Sequence, residues 1–172
     1  MPAETLVDTS FVVEVLSPRQ PLHLACRTWM EHMAANGTTI YFNRLLEIEL
    51  AETLYQIALK ERHPRDWRRY RHDGRARRRA NRLLQRGGNA WTSLLAAFNY
   101  AAYDLGEVAN RVPELMSRYG LASYDAIHAA TAVESGVGAI VTLDAGFASL
   151  PQSLLTIYTN ASRVSVCRQR RP

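Results

Sequence analysis

Thr5-Leu6-Val7-Asp8-Thr9-Ser10-Phe11-Val12-Val13-Glu14-Val15-Leu16 is the stretch on which the fold turns. Thr5-Leu6-Val7 is a short apolar run ending at an acid, and Phe11 to Leu16 continues with the apolar density of a helix. A strand running into a helix through one carboxylate is the expectation. Working outward, Pro21 can open a second helix reaching about Asn36-Gly37, with Leu22, Cys26, Trp29, Met30 and Met33 at helical spacings and Gly37 as its stop. Thr39-Ile40-Tyr41-Phe42 is β-branched and aromatic and reads as a second strand. From Asn43, a good cap, a long helix follows with Leu46, Leu50, Leu54, Ile57 and Ala58 on one face.

Further along, an arginine-rich stretch from His63-Pro64 to Gly87-Gly88 is poor in apolar residues and is expected as an exposed helix or hairpin, in part disordered. The reading continues with an apolar helix around Trp91 to Phe98, a short strand from Ala101 to Leu105, and a helix from Gly106 to Tyr119 ended by Gly120. Ser123 is expected to cap a helix from Tyr124 to Ser135, and Ala139-Ile140-Val141-Thr142 and Leu155-Thr156-Ile157-Tyr158 close the series as strands. Strands alternating with helices predict an α/β domain with a mostly parallel sheet.

The chain has 172 residues and is 47% hydrophobic, which suits one domain with a sizeable core. No apolar run approaches the roughly 18 residues of a membrane span, and Met1-Pro2-Ala3-Glu4 lacks a charged, apolar leader, so a cytoplasmic protein is expected. Cys26 and Cys167 lie far apart and form no metal-ligand spacing, which argues against a disulfide or zinc scaffold. The net charge of +5 conceals an asymmetry. Eleven arginines between Arg62 and Arg86 face only Asp66 and Asp73, so that segment carries +9 and the rest of the chain −4. Such a chain is built to hold cations in one place and polyanions in another.

Four acids sit singly in weakly polar surroundings: Asp8, Glu49, Asp125 and Asp144. An isolated carboxylate there costs free energy unless it is hydrogen-bonded, paired or bound to a metal. Asp8 and Asp144 each follow an apolar strand, and Glu49 and Asp125 lie in the first turns of helices. Sites in open α/β sheets gather at the carboxyl ends of strands, so the four can converge. Taken singly, each has a structural alternative: Asp8 can cap the helix after it, and Asp125 gains from a helix dipole. Thr9, Ser10 and Thr142 are expected to tie the carboxylates down by hydrogen bonds. His128, one turn beyond Asp125, reads as a core histidine or a partner of a ligand rather than a ligand, since no second histidine is spaced to join it.

These motifs resemble the PIN-domain ribonucleases, and within them the VapC-type toxins of bacterial toxin-antitoxin modules. Leu6-Val7-Asp8-Thr9-Ser10 is similar to the family's opening strand and first acid, and Glu49 in Leu45-Leu46-Glu47-Ile48-Glu49-Leu50-Ala51-Glu52 to its second. Gly120-Leu121-Ala122-Ser123-Tyr124-Asp125-Ala126-Ile127-His128-Ala129-Ala130-Thr131-Ala132 is the most specific match, with Asp125 as third acid, and Val141-Thr142-Leu143-Asp144-Ala145-Gly146-Phe147 supplies the fourth. The resemblance implies a three-layer PIN-like domain over residues 1–172, with about five short strands and an arginine-rich insertion or helical arm at about 62–88. It implies a Mg²⁺- or Mn²⁺-dependent endoribonuclease leaving a 5′-phosphate and a 3′-hydroxyl, with tRNA, rRNA or mRNA as substrate. Asp8, Asp125 and Asp144 would be the metal ligands, directly or through water, and Glu49 would help position the metal or its water. A cognate antitoxin and a homodimer are implied as well. Many members carry one more acid two or three residues after the fourth; here Gly146 and Phe147 stand there, which weighs against a fully acidic second metal site.

In the arm, Arg68, Arg69, Arg71, Arg75, Arg77, Arg78 and Arg79 are candidate RNA-binding residues, with Trp67 and Tyr70 able to stack on unpaired bases. A solvated face or docking to an acidic partner are the alternatives. The competing function is a catalytically inactive PIN-like module that binds RNA or protein. A haloacid-dehalogenase-type phosphatase wants a second acid two residues after the first, where this chain has Ser10, and no helix-turn-helix accompanies the arginines.

Overall fold

Strand β1 (Glu4–Val7) lies at the centre of a five-stranded sheet ordered β3-β2-β1-β4-β5, in a computed structural model that describes residues 1–160. The partners are β2 (Thr39–Asn43), β3 (Tyr100–Tyr103), β4 (Ala139–Val141) and β5 (Thr156–Tyr158), and every pairing is parallel. Leu6 stands beside Tyr41 on one side and Ile140 on the other. The chain builds outward from β1 through β2 to β3, then returns to the other side for β4 and β5. The carboxyl ends of β1 and β4 therefore flank the switch point of the sheet, where open α/β folds place their sites.

A parallel sheet must be covered on both faces. Helices α1 (Thr9–Leu16), α2 (His23–Ala35), α3 (Leu45–Lys60) and α4 (Gly74–Leu95) share one apolar core, where Val7, Phe42 and Val141 meet Phe11, Met33, Leu50 and Trp91. Helices α5 (Leu105–Val108), α6 (Val112–Tyr119) and α7 (Ser123–Glu134) share the other, where Leu6 and Ile140 meet Val108, Leu115 and Ile127. Alternation along β1 and β4 thus feeds two cores, giving the three-layer PIN-like α/β arrangement. Among the described residues, no helix is long and apolar enough to cross a membrane. Cys167 lies outside the described residues; Cys26 is buried and unbridged.

The strand expected from Ala101 to Leu105 runs Tyr100–Tyr103 instead, with Leu105 opening α5, and the structure departs from the sequence reading more widely at three places. The arginine-rich stretch and the apolar helix around Trp91 are one helix, α4, preceded by a three-ten turn at Trp67–His72. Ala80, Gly87, Trp91 and Leu95 recur on its buried side, so the apolar face runs beneath the arginines without a break. Gly87 and Gly88 do not end the segment. A Cβ at Gly87 would collide with Leu54 Cδ1, so the glycine permits a close crossing of α3 and α4. The helix expected over 106–119 is broken into α5, a three-ten turn at Ala109–Arg111, and α6, because Pro113 is accommodated only in a first turn. Finally, Ser123 is the first residue of α7 rather than its cap; Ala122 holds the cap position and offers no side-chain bond.

Candidate functional site

Asp8 leaves β1 and caps α1, so the structural alternative and the functional one coincide on one residue. Its Oδ2 accepts from Ser10 N at 3.3 Å, from the Ser10 hydroxyl, and from Thr142 Oγ1 at 2.8 Å. Those two hydroxyls in turn accept from the chain beyond β4: Leu143 N donates to Ser10 Oγ and Asp144 N to Thr142 Oγ1, each at 2.9 Å. Two short relays therefore stitch the end of β1 to the end of β4. Buried polar groups must be satisfied, and here that requirement fixes the orientation of Asp8. Its second oxygen, Oδ1, is left toward His128 Nε2 at 3.5 Å.

Glu49 reaches the same edge from the second turn of α3. Its Oε2 accepts from Thr9 Oγ1 at 2.6 Å and from His128 Nε2 at 2.8 Å. His128 is 1% exposed and its Nδ1 has no partner. It sits three residues after Asp125 on α7, so one imidazole spans the helix of the third acid and the side chains of the first two. Asn43 fixes α7 from below: its amide donates to Thr131 Oγ1 at 3.3 Å, while its Oδ1 accepts from Leu45 N at 2.9 Å and opens α3.

Asp125 and Asp144 meet over Gly146. A Cβ on that glycine would stand 2.7 Å from Asp125 Oδ2 and 3.3 Å from Asp144 Oδ1. Asp144 caps a three-ten turn at Ala145–Ser149, accepting from Gly146 N at 2.7 Å, and is exposed where Asp8 is buried. The position read from sequence as lacking an acid is one where a side chain would collide with the acids already present. Phe147, the next position, is fully buried in the core around α7, so it too cannot present a carboxylate.

The charges register this crowding. Burial raises the Asp125 carboxyl, and the neighbouring Asp144 and Asp8 raise it further, to about 6. Burial also works against ionised Glu49, but the bonds from His128 and Thr9 outweigh it and hold Glu49 below the usual range. For His128 burial disfavours the imidazolium, yet the bond to Glu49 and the charges of Asp8, Glu49 and Asp125 leave its pKa raised. Asp8, Glu49 and Asp125 around one imidazole, with Asp144 beside Asp125, form a pocket with an excess of negative charge. Among the described residues, no three acid or imidazole groups already enclose a point at metal-binding range. The donor set is nonetheless the one a hard divalent cation takes, all carboxylate oxygen, and Asp125 Oδ2 and Asp144 Oδ1 converge at Gly146.

The arginine arm packs on α3, and its residues differ in their contacts. Arg71 forms a two-pronged pair with Glu52 at 2.8 and 2.9 Å, and its carbonyl accepts from Tyr55 Oη at 2.6 Å. Arg79 meets Glu61 at 3.4 Å. These two brace the arm on α3. Arg68 lies over the Trp67 ring at 4.9 Å, with Lys60 at 5.1 Å, and Tyr70 stacks on His63 at 3.5 Å. The two aromatics expected to receive bases thus each have a local ring contact. Arg69 belongs to the three-ten turn, and Arg75, Arg77 and Arg78 project from α4 into solvent.

Sequence reasoning placed the four acids and the hydroxyls but missed the reach of His128 to Glu49, the tie from Asn43 to Thr131, and the purpose of Gly146. The spacing from Asp125 to His128 was the available signal for the first; the other two depend on contacts between distant segments.

Comparison with curated proteins gives no match. Among solved structures, the chain is similar to a chain in the crystal structure of VapBC2 from Rickettsia felis bound to a DNA fragment from their promoter. The TM-score is 0.57 at 13% identity, over 91% of this chain and 98% of that chain, a likeness of fold. The PIN domain family model matches residues 5–152, which takes in all four acids and helices α1 to α7, and the chain belongs to that family.

Proposed function

We propose that the protein is a metal-dependent endoribonuclease and the toxin of a toxin-antitoxin module. The observation that carries the reading is the meeting of acids from four separate segments at the switch point of the sheet, with Asp125 driven up to about 6 by burial and by its neighbours Asp144 and Asp8. PIN-family membership supports nuclease chemistry, and the fold shared with a VapBC2 chain supports an antitoxin partner. Tethered by Ser10 and Thr142, Asp8 presents Oδ1 to the pocket and with Asp125 and Asp144 would hold Mg²⁺ or Mn²⁺, directly or through water. The bound ion would offset charge on the phosphate oxygens and acidify an attacking water. Glu49, kept ionised and oriented by Thr9 and His128, is placed to align that water or the ion. The substrate would be a cellular tRNA, rRNA or mRNA, and the working form a cytoplasmic homodimer.

The test is cleavage of a defined pool of cellular RNA by purified protein with Mg²⁺ or Mn²⁺, beside EDTA and Asp8→Asn controls. Asn keeps the shape and one acceptor oxygen, so the fold should persist while cutting falls at least about 100-fold. A folded wild-type protein that binds RNA but does not cut it with either metal would favour the inactive binding module. Growth arrest on expression, relieved by the adjacent reading frame, is the corresponding test of the toxin role.

A further inference from the structure

Helix α4 carries a feature that the nuclease chemistry does not use. Arg75, Arg78, Arg82 and Arg86 are separated by three, four and four residues, which sets them in one row along the helix. The buried face, with Ala80, Gly87 and Trp91, lies on the opposite side. All four are exposed, and among the described residues none forms an ion pair. Arg71 and Arg79, by contrast, are held by Glu52 and Glu61. The arm is thus fastened by Arg71 in the three-ten turn and Arg79 on α4, and α4 presents another set.

The geometry points to this row as a sequence-independent track for the phosphate backbone of one RNA strand, an inference that rests on RNA being the substrate. Eleven residues at about 1.5 Å each give a row roughly 16 Å long, with a guanidinium every 5 to 6 Å. That is a repeat a flexible single strand can match phosphate by phosphate. The guanidinium fork suits phosphate better than an ammonium does. A protein partner is disfavoured by what flanks the row. Asn81, Gln85 and Asn89 are exposed and polar, whereas a protein interface needs an apolar centre depleted of charge. The track makes no contact that could read a base, so it supplies affinity and leaves selection of the cleavage site to the pocket.

The experiment measures binding of a fluorescent 20-mer of uridine by anisotropy, in EDTA so that cleavage plays no part, between about 50 and 200 mM salt. Arg75→Gln/Arg78→Gln/Arg82→Gln/Arg86→Gln should retain helicity, because Gln and Arg are similar helix formers. With about 0.7 ions released per phosphate contact on a single strand, the slope of log K against log salt should become shallower by about 3. Affinity at the lowest salt should fall on the order of 100-fold. Arg82→Gln/Arg86→Gln should weaken binding several-fold more than Arg27→Gln/Arg118→Gln, which removes equal charge elsewhere. An unchanged slope in the fourfold variant, or equal losses in the two double variants, overturns the track. So does tighter binding of the wild type to a glutamate 20-mer than to the RNA. Because no cutting is required, a nuclease that proves inactive would leave this result standing, and a failed track would leave the cleavage assay untouched.

Discussion

Gly146→Ala separates the geometry of the acidic pocket from the stability of the fold. Gly146 is not among the glycines with positive φ, so alanine can adopt its backbone without strain and keeps the N–H that Asp144 accepts. Alanine also restricts the unfolded chain, which favours folding by about 0.4 to 1 kcal/mol. Against this stands a methyl group 2.7 Å from Asp125 Oδ2. To regain an ordinary contact of about 3.4 Å the carboxylate must retreat by roughly 0.7 Å, the difference of those two distances. A carboxylate can rotate that far at little cost, so unfolding in EDTA should shift by no more than about 3 °C in Tm. The pocket cannot absorb the same movement, since a misplacement of about 1 Å can cost on the order of 100-fold in rate. Mn²⁺ affinity by calorimetry should fall about 10-fold and RNA cleavage 10- to 100-fold, a range set by that displacement. Unchanged Mn²⁺ affinity would refute the convergence of Asp125 and Asp144 on the ion. A loss of more than about 10 °C in Tm would refute the claim that Gly146 serves the pocket rather than the fold.

Because Asp125 titrates near 6 when folded and near the ordinary carboxylate value of about 3.9 when unfolded, the folded metal-free protein binds the extra proton between those values. Its stability contribution is therefore greatest at the acid end of that window and declines as pH rises through it. Mn²⁺ must displace the proton, so affinity should drop up to about tenfold per pH unit below 6. Calorimetry in buffers of different ionisation enthalpy should then show proton release, and a flat pH profile would refute the assignment. Gly87→Ala should act in the opposite sense to Gly146→Ala: the clash with Leu54 costs about 1 to 3 kcal/mol, reduced by about 1 kcal/mol of helix propensity. Urea unfolding should register the loss while Mn²⁺ affinity stays within about twofold of wild type, and a stabilised variant would refute the close crossing of α3 and α4.

The parts of this molecule that were legible in the sequence are those fixed by local pattern. Asp8 and Asp144 were found because each ends an apolar strand, and the strands themselves because buried parallel strands are nearly all apolar, as at Ala139–Val141. What was not legible depends on partners far along the chain. Nothing in Arg71 or Arg79 distinguishes them from their neighbours until Glu52 and Glu61 of α3 are seen beneath them. Gly87 reads as punctuation until Leu54 is placed against it, and Gly146 reads as a missing acid until Asp125 stands over it. The ring contacts of Trp67 with Lys60 and Arg68, and of Tyr70 with His63, were likewise not legible before the chain was folded.

The hydroxyl relays at the ends of β1 and β4 also govern when the pocket can exist. Asp8 takes its bond from Thr142 across 134 residues of chain. At roughly 5 to 20 residues per second, a ribosome needs on the order of ten seconds between making the one and making the other. During that interval the nascent chain carries its first acid without the strand that orients it; the third acid, Asp125, comes only in its last part, and the fourth, Asp144, after it. If the protein cuts RNA, its own message and the ribosome beside it are spared until β4 and Asp144 have been made, a form of protection conferred by strand order alone.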